Sequence, residues 1–133
     1  MRYGAVILVL LFIASCALKV DQLKAKAMVE SLLTDLKNEN YSSLNKYYSD
    51  VSNESEPLDR KIEKYTRLKE TLGAIQSFEL ISAKENYDSD KGINQLELKY
   101  NVKCAKLTVE ETFLVIHDEG TEKIIFQNIE NKK

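Results

Sequence analysis

Hydrophobic residues recur along this chain with two different periods, and the change comes near Ala74. Before it the repeat is helical. Leu18, Val20, Leu23 and Ala27 begin a pattern that Met28, Leu32 and Leu36 continue at every fourth position, with Val29 and Leu33 beside them. Side chains four apart share one face of a helix, so this spacing predicts a helix from about Val20 to Lys37 that stops near Asn38-Glu39-Asn40. Asn40 to Tyr48 predicts a short second helix, with Asn40 or Ser42 as its N-cap and Leu44, Tyr47 and Tyr48 on its buried side. Ser49 to Glu56 is polar apart from Val51 and reads as a loop. Pro57 suits the first turn of a third helix, where a missing N–H leaves nothing unsatisfied. That helix would carry Leu58, Ile62, Tyr65, Leu68 and Leu72 on one face, with Gly73 as its C-terminal stop.

Beyond Ala74 the period falls to two. Ile75 to Lys84 alternates loosely and predicts a first strand, followed by the turn cluster Tyr87-Asp-Ser-Asp-Lys-Gly92. Leu96, Leu98, Tyr100, Val102 and Cys104 alternate with Glu97, Lys99, Asn101 and Lys103, which gives the second strand one dry and one wet face. Ala105-Lys106 predicts a tight turn. Thr108 to His117 turns apolar on both faces at Phe113-Leu-Val-Ile116, as a central strand does. Asp118-Glu-Gly-Thr121 predicts a hairpin turn, and Lys123 to Ile129 a last strand ahead of the polar tail 130–133. The expected fold class is therefore α+β, with N-terminal helices packed on a curved four-stranded antiparallel sheet.

The first residues stand outside this pattern. Arg2 is followed by the apolar run Ala5 to Ile13 and then by small residues, in the order of an export signal. Lys19 and Asp21 end the run short of the roughly 20 apolar residues a spanning helix needs. Ala14 leaves room for an ordinary secretory cleavage site. Ile13-Ala14-Ser15-Cys16 resembles the lipobox of bacterial lipoprotein precursors, in which an aliphatic and two small residues precede a cysteine that receives lipid. The resemblance implies removal of 1–15, a lipidated N-terminus at 16–19 and a domain over 20–129. The partner it implies is membrane lipid, reached through the diacylglyceryl and palmitate-type chains on Cys16. Two or more chains anchor stably where one does not. Ala17, rather than an aspartate, follows the cysteine, so in a Gram-negative cell the resemblance points to the outer membrane.

Composition narrows the partners. A net charge of −2 over 133 residues, with both signs interspersed and no basic stripe, argues against nucleic acid. There are two cysteines. If Cys16 carries lipid, Cys104 has no intramolecular partner; if it does not, a Cys16–Cys104 bridge becomes open to the chain in an oxidising compartment.

Three stretches carry a further likeness: Leu36-Lys-Asn-Glu-Asn-Tyr41 with Leu44 and Tyr47-Tyr48; Leu68-Lys-Glu-Thr-Leu-Gly73 with Ile75; and Tyr100-Asn-Val-Lys with Glu111-Thr-Phe-Leu-Val. Together they resemble the small exported domains of the nuclear-transport-factor-2-like family, a pattern that cystatin-like domains share. The resemblance implies a sheet curled around the helices into a cone with an apolar pocket. Its members range from isomerases and hydratases to binding modules, so it leaves function open.

The candidate chemistry is sparse. His117, the only histidine, falls at the start of a turn and reads as a solvated rim residue rather than a general base. Tyr100 and Tyr65 are candidate pocket residues, Tyr100 because its parity points it inward; the competing reading, which is favoured, makes them core rings with a hydroxyl reaching the surface. Glu111 shares the inward parity of Val109 and Phe113, as a buried carboxylate with raised pKa or as an ion pair with Lys99 or Lys103. Glu110 and Glu111 face opposite sides and cannot act as a carboxylate pair. Cys104 reads as a small core residue. No cluster has metal-ligand spacing, and no cofactor or catalytic set is expected. The chain reads as a lipid-anchored, non-enzymatic envelope domain binding a small apolar ligand or an envelope protein. An isomerase- or hydrolase-like enzyme and an accessory subunit of an envelope complex are the alternatives.

Overall fold

The computed structural model describes residues 19–132. Segment 1–15 and the lipobox cysteine Cys16 lie outside the described residues. Within them, helices pack on one face of an open antiparallel sheet whose strand order is β1-β2-β3-β4. The architecture is α+β, as the change of period implies.

Helix α1 spans Gln22–Lys37, and Asp21 caps it by accepting from the Lys24 N–H at 3.1 Å. Its core stripe is Ala25, Val29, Leu32, Leu33 and Leu36. The expectation that Leu23 and Ala27 share the buried face is corrected: both are exposed, Leu23 at 81%, and Ala25 takes that place in the stripe that meets the sheet. The second helix shrinks to a 3-10 turn at Leu44–Tyr47, which still buries Leu44, Tyr47 and Tyr48. The polar stretch after it is not a loop. It forms helix α2, Asp50–Ser55, capped by Ser49, whose hydroxyl accepts from the Ser52 N–H at 3.3 Å. No residue of α2 is buried, so hydrophobic periodicity had nothing to mark it. Pro57 occupies the N-cap of helix α3, Leu58–Leu72, one position earlier than the first turn.

Helix α3 buries Tyr65 and, unexpectedly, Lys61. The Lys61 ammonium is 2.8 Å from Asn45 Oδ1, 2.9 Å from Asn53 Oδ1 and 2.5 Å from the Glu56 carbonyl. It also lies 4.6 Å from the centre of the Tyr48 ring. One cation thus fastens the 3-10 turn, α2 and α3 together, and its loss of water pushes its pKa down.

The strands are β1 Ile75–Asp88, β2 Ile93–Cys104, β3 Thr108–Asp118 and β4 Thr121–Asn131. The inward set of β2, Leu96, Leu98, Tyr100, Val102 and Cys104, is buried as its alternation implies. β1 alternates loosely because register shifts break it between Ile75 and Ser77 and between Leu80 and Ser82. β4 has its own shift: Val115 pairs with Ile124 but Leu114 pairs with Phe126, leaving Ile125 as the extra residue. That bulge puts Phe126, 54% exposed, on the outer face and turns Gln127 and Ile129 inward opposite Phe113 and Glu111.

A meander sorts its ends. The β1–β2 and β3–β4 turns share one end of the sheet with the start of α1, where Glu122 accepts from the Asp21 N–H at 3.3 Å. The β2–β3 turn shares the other end with the end of α1 and with Gly73. At about 1.5 Å per residue, the 16 residues of α1 hold these ends about 24 Å apart.

Candidate functional site

A pocket opens at the second of these ends. Leu36 from α1, Tyr65, Leu68 and Leu72 from α3, and Ile75, Val102, Cys104, Val109, Glu111 and Ile129 from the sheet form its walls. Lys37, Glu39, Tyr41, Lys69, Gly73 and Ala74 form its mouth. The interior accessible to water is about 70 Å³. Gly73 lets the end of α3 approach the β2–β3 turn closely. Its φ is +85°, and a Cβ there would come within 2.7 Å of the Ala105 Cβ. The end of α3 is closed against the β2–β3 turn by Ala105 N–H to Ala74 O at 2.9 Å and Lys106 N–H to Leu72 O at 2.8 Å.

Glu111 is the one acid in the walls, and it is 4% exposed. Gln127 Nε2 donates to its Oε1 at 3.0 Å. Gln127 is itself held from behind. Its Oε1 accepts from the Tyr48 hydroxyl at 2.7 Å and from the Tyr65 hydroxyl at 2.8 Å. Those two hydroxyl oxygens are 2.8 Å apart. Three contacts share two hydroxyl protons, so when both are given to Gln127 the Tyr48–Tyr65 contact has none of its own. The amide is thereby turned so that its N–H, not its carbonyl, meets Glu111.

Glu111 Oε2 has no protein partner among the described residues. Burial pushes the carboxyl up to about 7, against the hydrogen bond from Gln127 and the charge of Lys64, which favour the ionised form. The same burial raises Tyr48 and Tyr65 far above neutrality and raises the Cys104 thiol, with Glu111 adding to each. Near neutral pH this site therefore holds one carboxyl whose proton affinity burial has raised, among hydroxyls and a thiol that keep their protons.

Of the sequence candidates, Glu111 and Tyr65 meet at the pocket, with the Tyr65 ring in the wall and its hydroxyl in the network behind. Tyr100 does not line it. That tyrosine is fully buried between Phe78 and Phe113, edge-on to both, and its hydroxyl donates to Glu30 on α1 at 3.1 Å. The expected ion pair of Glu111 with Lys99 or Lys103 is replaced by Glu110 with Lys99, at 3.7 Å on the outer face. His117 sits at the opposite end, with Nδ1 2.9 Å from Glu122 Oε1. Cys104 is a buried free cysteine. No group of acids, cysteines or histidine suited to a metal occurs among the described residues.

Gln127 escapes a reading of the sequence. Alternation from Ile124 assigns Phe126 inward and Gln127 outward, and only the bulge at Ile125 reverses them. Lys61 escapes because a lysine on a helix is ordinarily solvent-facing. Its signal is the pair Asn45 and Asn53, visible only once the turn has folded.

No protein-family model matches the chain, and a comparison with curated proteins finds none that is similar.

Proposed function

We propose that this chain is a lipid-anchored domain of the bacterial cell envelope whose pocket binds a small, largely apolar ligand without transforming it. The observation that carries the binding reading is Glu111. A buried carboxyl with one oxygen held by Gln127 and the other unpartnered is a polar fixture at the base of an otherwise apolar pocket. The anchoring half rests on Ile13-Ala14-Ser15-Cys16 and on the fit of 20–129 to the small exported nuclear-transport-factor-2-like pattern. The outer membrane is the favoured address in a Gram-negative cell, with Ala17 after the lipidated cysteine. In that arrangement the mouth faces away from the bilayer, because α1 begins at the tether end and finishes at the pocket.

An isomerase- or hydrolase-like reading draws on the same Glu111, whose pKa of about 7 suits a general base. It is the weaker of the two. The Tyr65 hydroxyl that would assist is committed to Gln127 and Tyr48.

Metabolic labelling with radioactive palmitate and membrane fractionation test the anchor. The native chain should take up label and sediment with membranes, and a Cys16→Ser variant should do neither. Label that persists in the variant would overturn the anchoring reading.

A further inference from the structure

We infer that the pocket takes the uncharged aliphatic end of a ligand that presents one hydrogen-bond donor, a hydroxyl, to Glu111 Oε2. The inference deepens the binding reading above and rests on it. The walls offer hydrocarbon from Leu36, Leu68, Leu72, Val102, Val109 and Ile129 and a single open acceptor. Gln127 fills Oε1 at 3.0 Å and cannot swing away, because the Tyr48 and Tyr65 hydroxyls hold its other end. One acceptor calls for one donor. A second donor on the buried end would be stranded among aliphatic groups.

Charge disfavours the ionic alternatives. An entering cation passes Lys37 and Lys69 at the mouth, the latter already bound to Glu39, and Glu111 already feels the charge of Lys64, which is paired with Glu56 at 2.6 Å outside the pocket lining. An entering anion meets Glu111. Size sets the length of the buried part. At roughly 30 Å³ per water in the liquid, about 70 Å³ holds about two or three groups of that size, so the buried end is about that many non-hydrogen atoms long. Anything longer continues past Tyr41 and Lys69 into solvent.

The carboxyl gives this recognition a pH signature. The titratable and charged groups that face it are Tyr48 and, from α3, Tyr65 and Lys64, Cys104 from β2, and Lys37, Glu39, Tyr41 and Lys69 at the mouth. The tyrosines and the thiol are all pushed upward and keep their protons near neutrality. Glu111 is the group among them with a value of about 7. Ionised, its Oε2 only accepts. Protonated, that oxygen can donate.

Two isomers of one formula separate these states: 1-pentanol, with a donor, and butyl methyl ether, with an acceptor only. Both are titrated into the full chain in detergent micelles, with free concentrations corrected for partition, while the methyl signals of Val102, Val109 and Ile129 are followed by NMR. At pH 8.5, 1-pentanol should bind at least about tenfold more tightly than the ether, the range of a hydrogen bond to a charged group. At pH 5.5 the ether should approach the alcohol within about threefold, as Glu111 now donates to it. A Glu111→Leu variant should bind the isomers alike at both pH values. Equal binding of the isomers by the native chain at pH 8.5, or an alcohol preference that survives Glu111→Leu, would overturn the hydroxyl assignment. Pentylammonium or pentanoate binding more tightly than 1-pentanol would overturn the uncharged class. If no probe moves the pocket methyls, the binding reading itself fails, a result distinct from any reordering of the probes.

Discussion

Replacing Glu111 by glutamine should remove a specific pH dependence from the stability of this domain. The carboxyl has an ordinary value of 4.5 and stands at about 7 in the folded protein. Between those values the folded chain holds a proton that the unfolded chain has released. Stability from this group is therefore complete below about pH 4.5, declines as pH rises, and is fully lost above about 7. At about 1.4 kcal/mol per tenfold change in proton affinity, the difference amounts to about 3 kcal/mol between the two plateaus. Glu111 is 4% exposed, so little of this is screened by solvent. In a domain of this size it corresponds to a melting-temperature change on the order of 10 °C. Urea unfolding at pH 5, 6, 7 and 8 measures it directly. The native chain should lose stability across the series, and Glu111→Gln should lose about 2.5 kcal/mol less, the part of the full difference that falls between pH 5 and 8. The substituted amide keeps an oxygen for Gln127 Nε2, and the His117–Glu122 pair is common to both chains, so the comparison isolates the carboxyl. Parallel pH profiles for the two proteins would show that Glu111 is not held in the environment described.

The remaining expectations concern the supports of the site. Lys61→Met should lower unfolding free energy by about 2–4 kcal/mol in urea, because three oxygens that met one ammonium are left without it; a change under about 0.5 kcal/mol would contradict the clamp. Tyr48→Phe and Tyr65→Phe should each cost about 1 kcal/mol or less and together more than their sum, since either hydroxyl alone still satisfies Gln127; a double-mutant cycle with no coupling would contradict the shared network. Gly73→Ala should destabilise by about 1–3 kcal/mol, and adding Ala105→Gly should recover part of that loss, leaving the share due to positive φ. An unaltered urea midpoint in Gly73→Ala would rule out the close approach.

What a reader of the sequence can recover here depends on whether one residue's neighbours lie along the chain or across it. β2 is readable to the residue, because a strand with a regular register writes its burial as strict alternation. Glu111 follows by parity from its neighbours on β3. α1 is readable in extent, but its buried stripe is displaced from Leu23 to Ala25, since the apolar residues near its start outnumber those the sheet covers. The bulged strands defeat parity. Gln127 fixes the orientation of the whole site, yet its inward position depends on one extra residue, Ile125, whose carbonyl accepts from Ser52 of α2 at 3.2 Å. α2 itself is held by polar bonds rather than by an apolar face, and hydrophobic spacing has no view of such an element.

The placement of the two ends of the described domain bears on any handling of this molecule. The residues at the start of α1 stand about one helix length, roughly 24 Å, from Tyr41 and Lys69, whereas β4 runs back to finish at Asn131, two residues beyond the pocket residue Ile129. A resin, reporter or surface joined at the front leaves the opening clear. The same load fused to the back hangs over it, so immobilisation through Lys132 would hide the cavity that immobilisation through Lys19 displays.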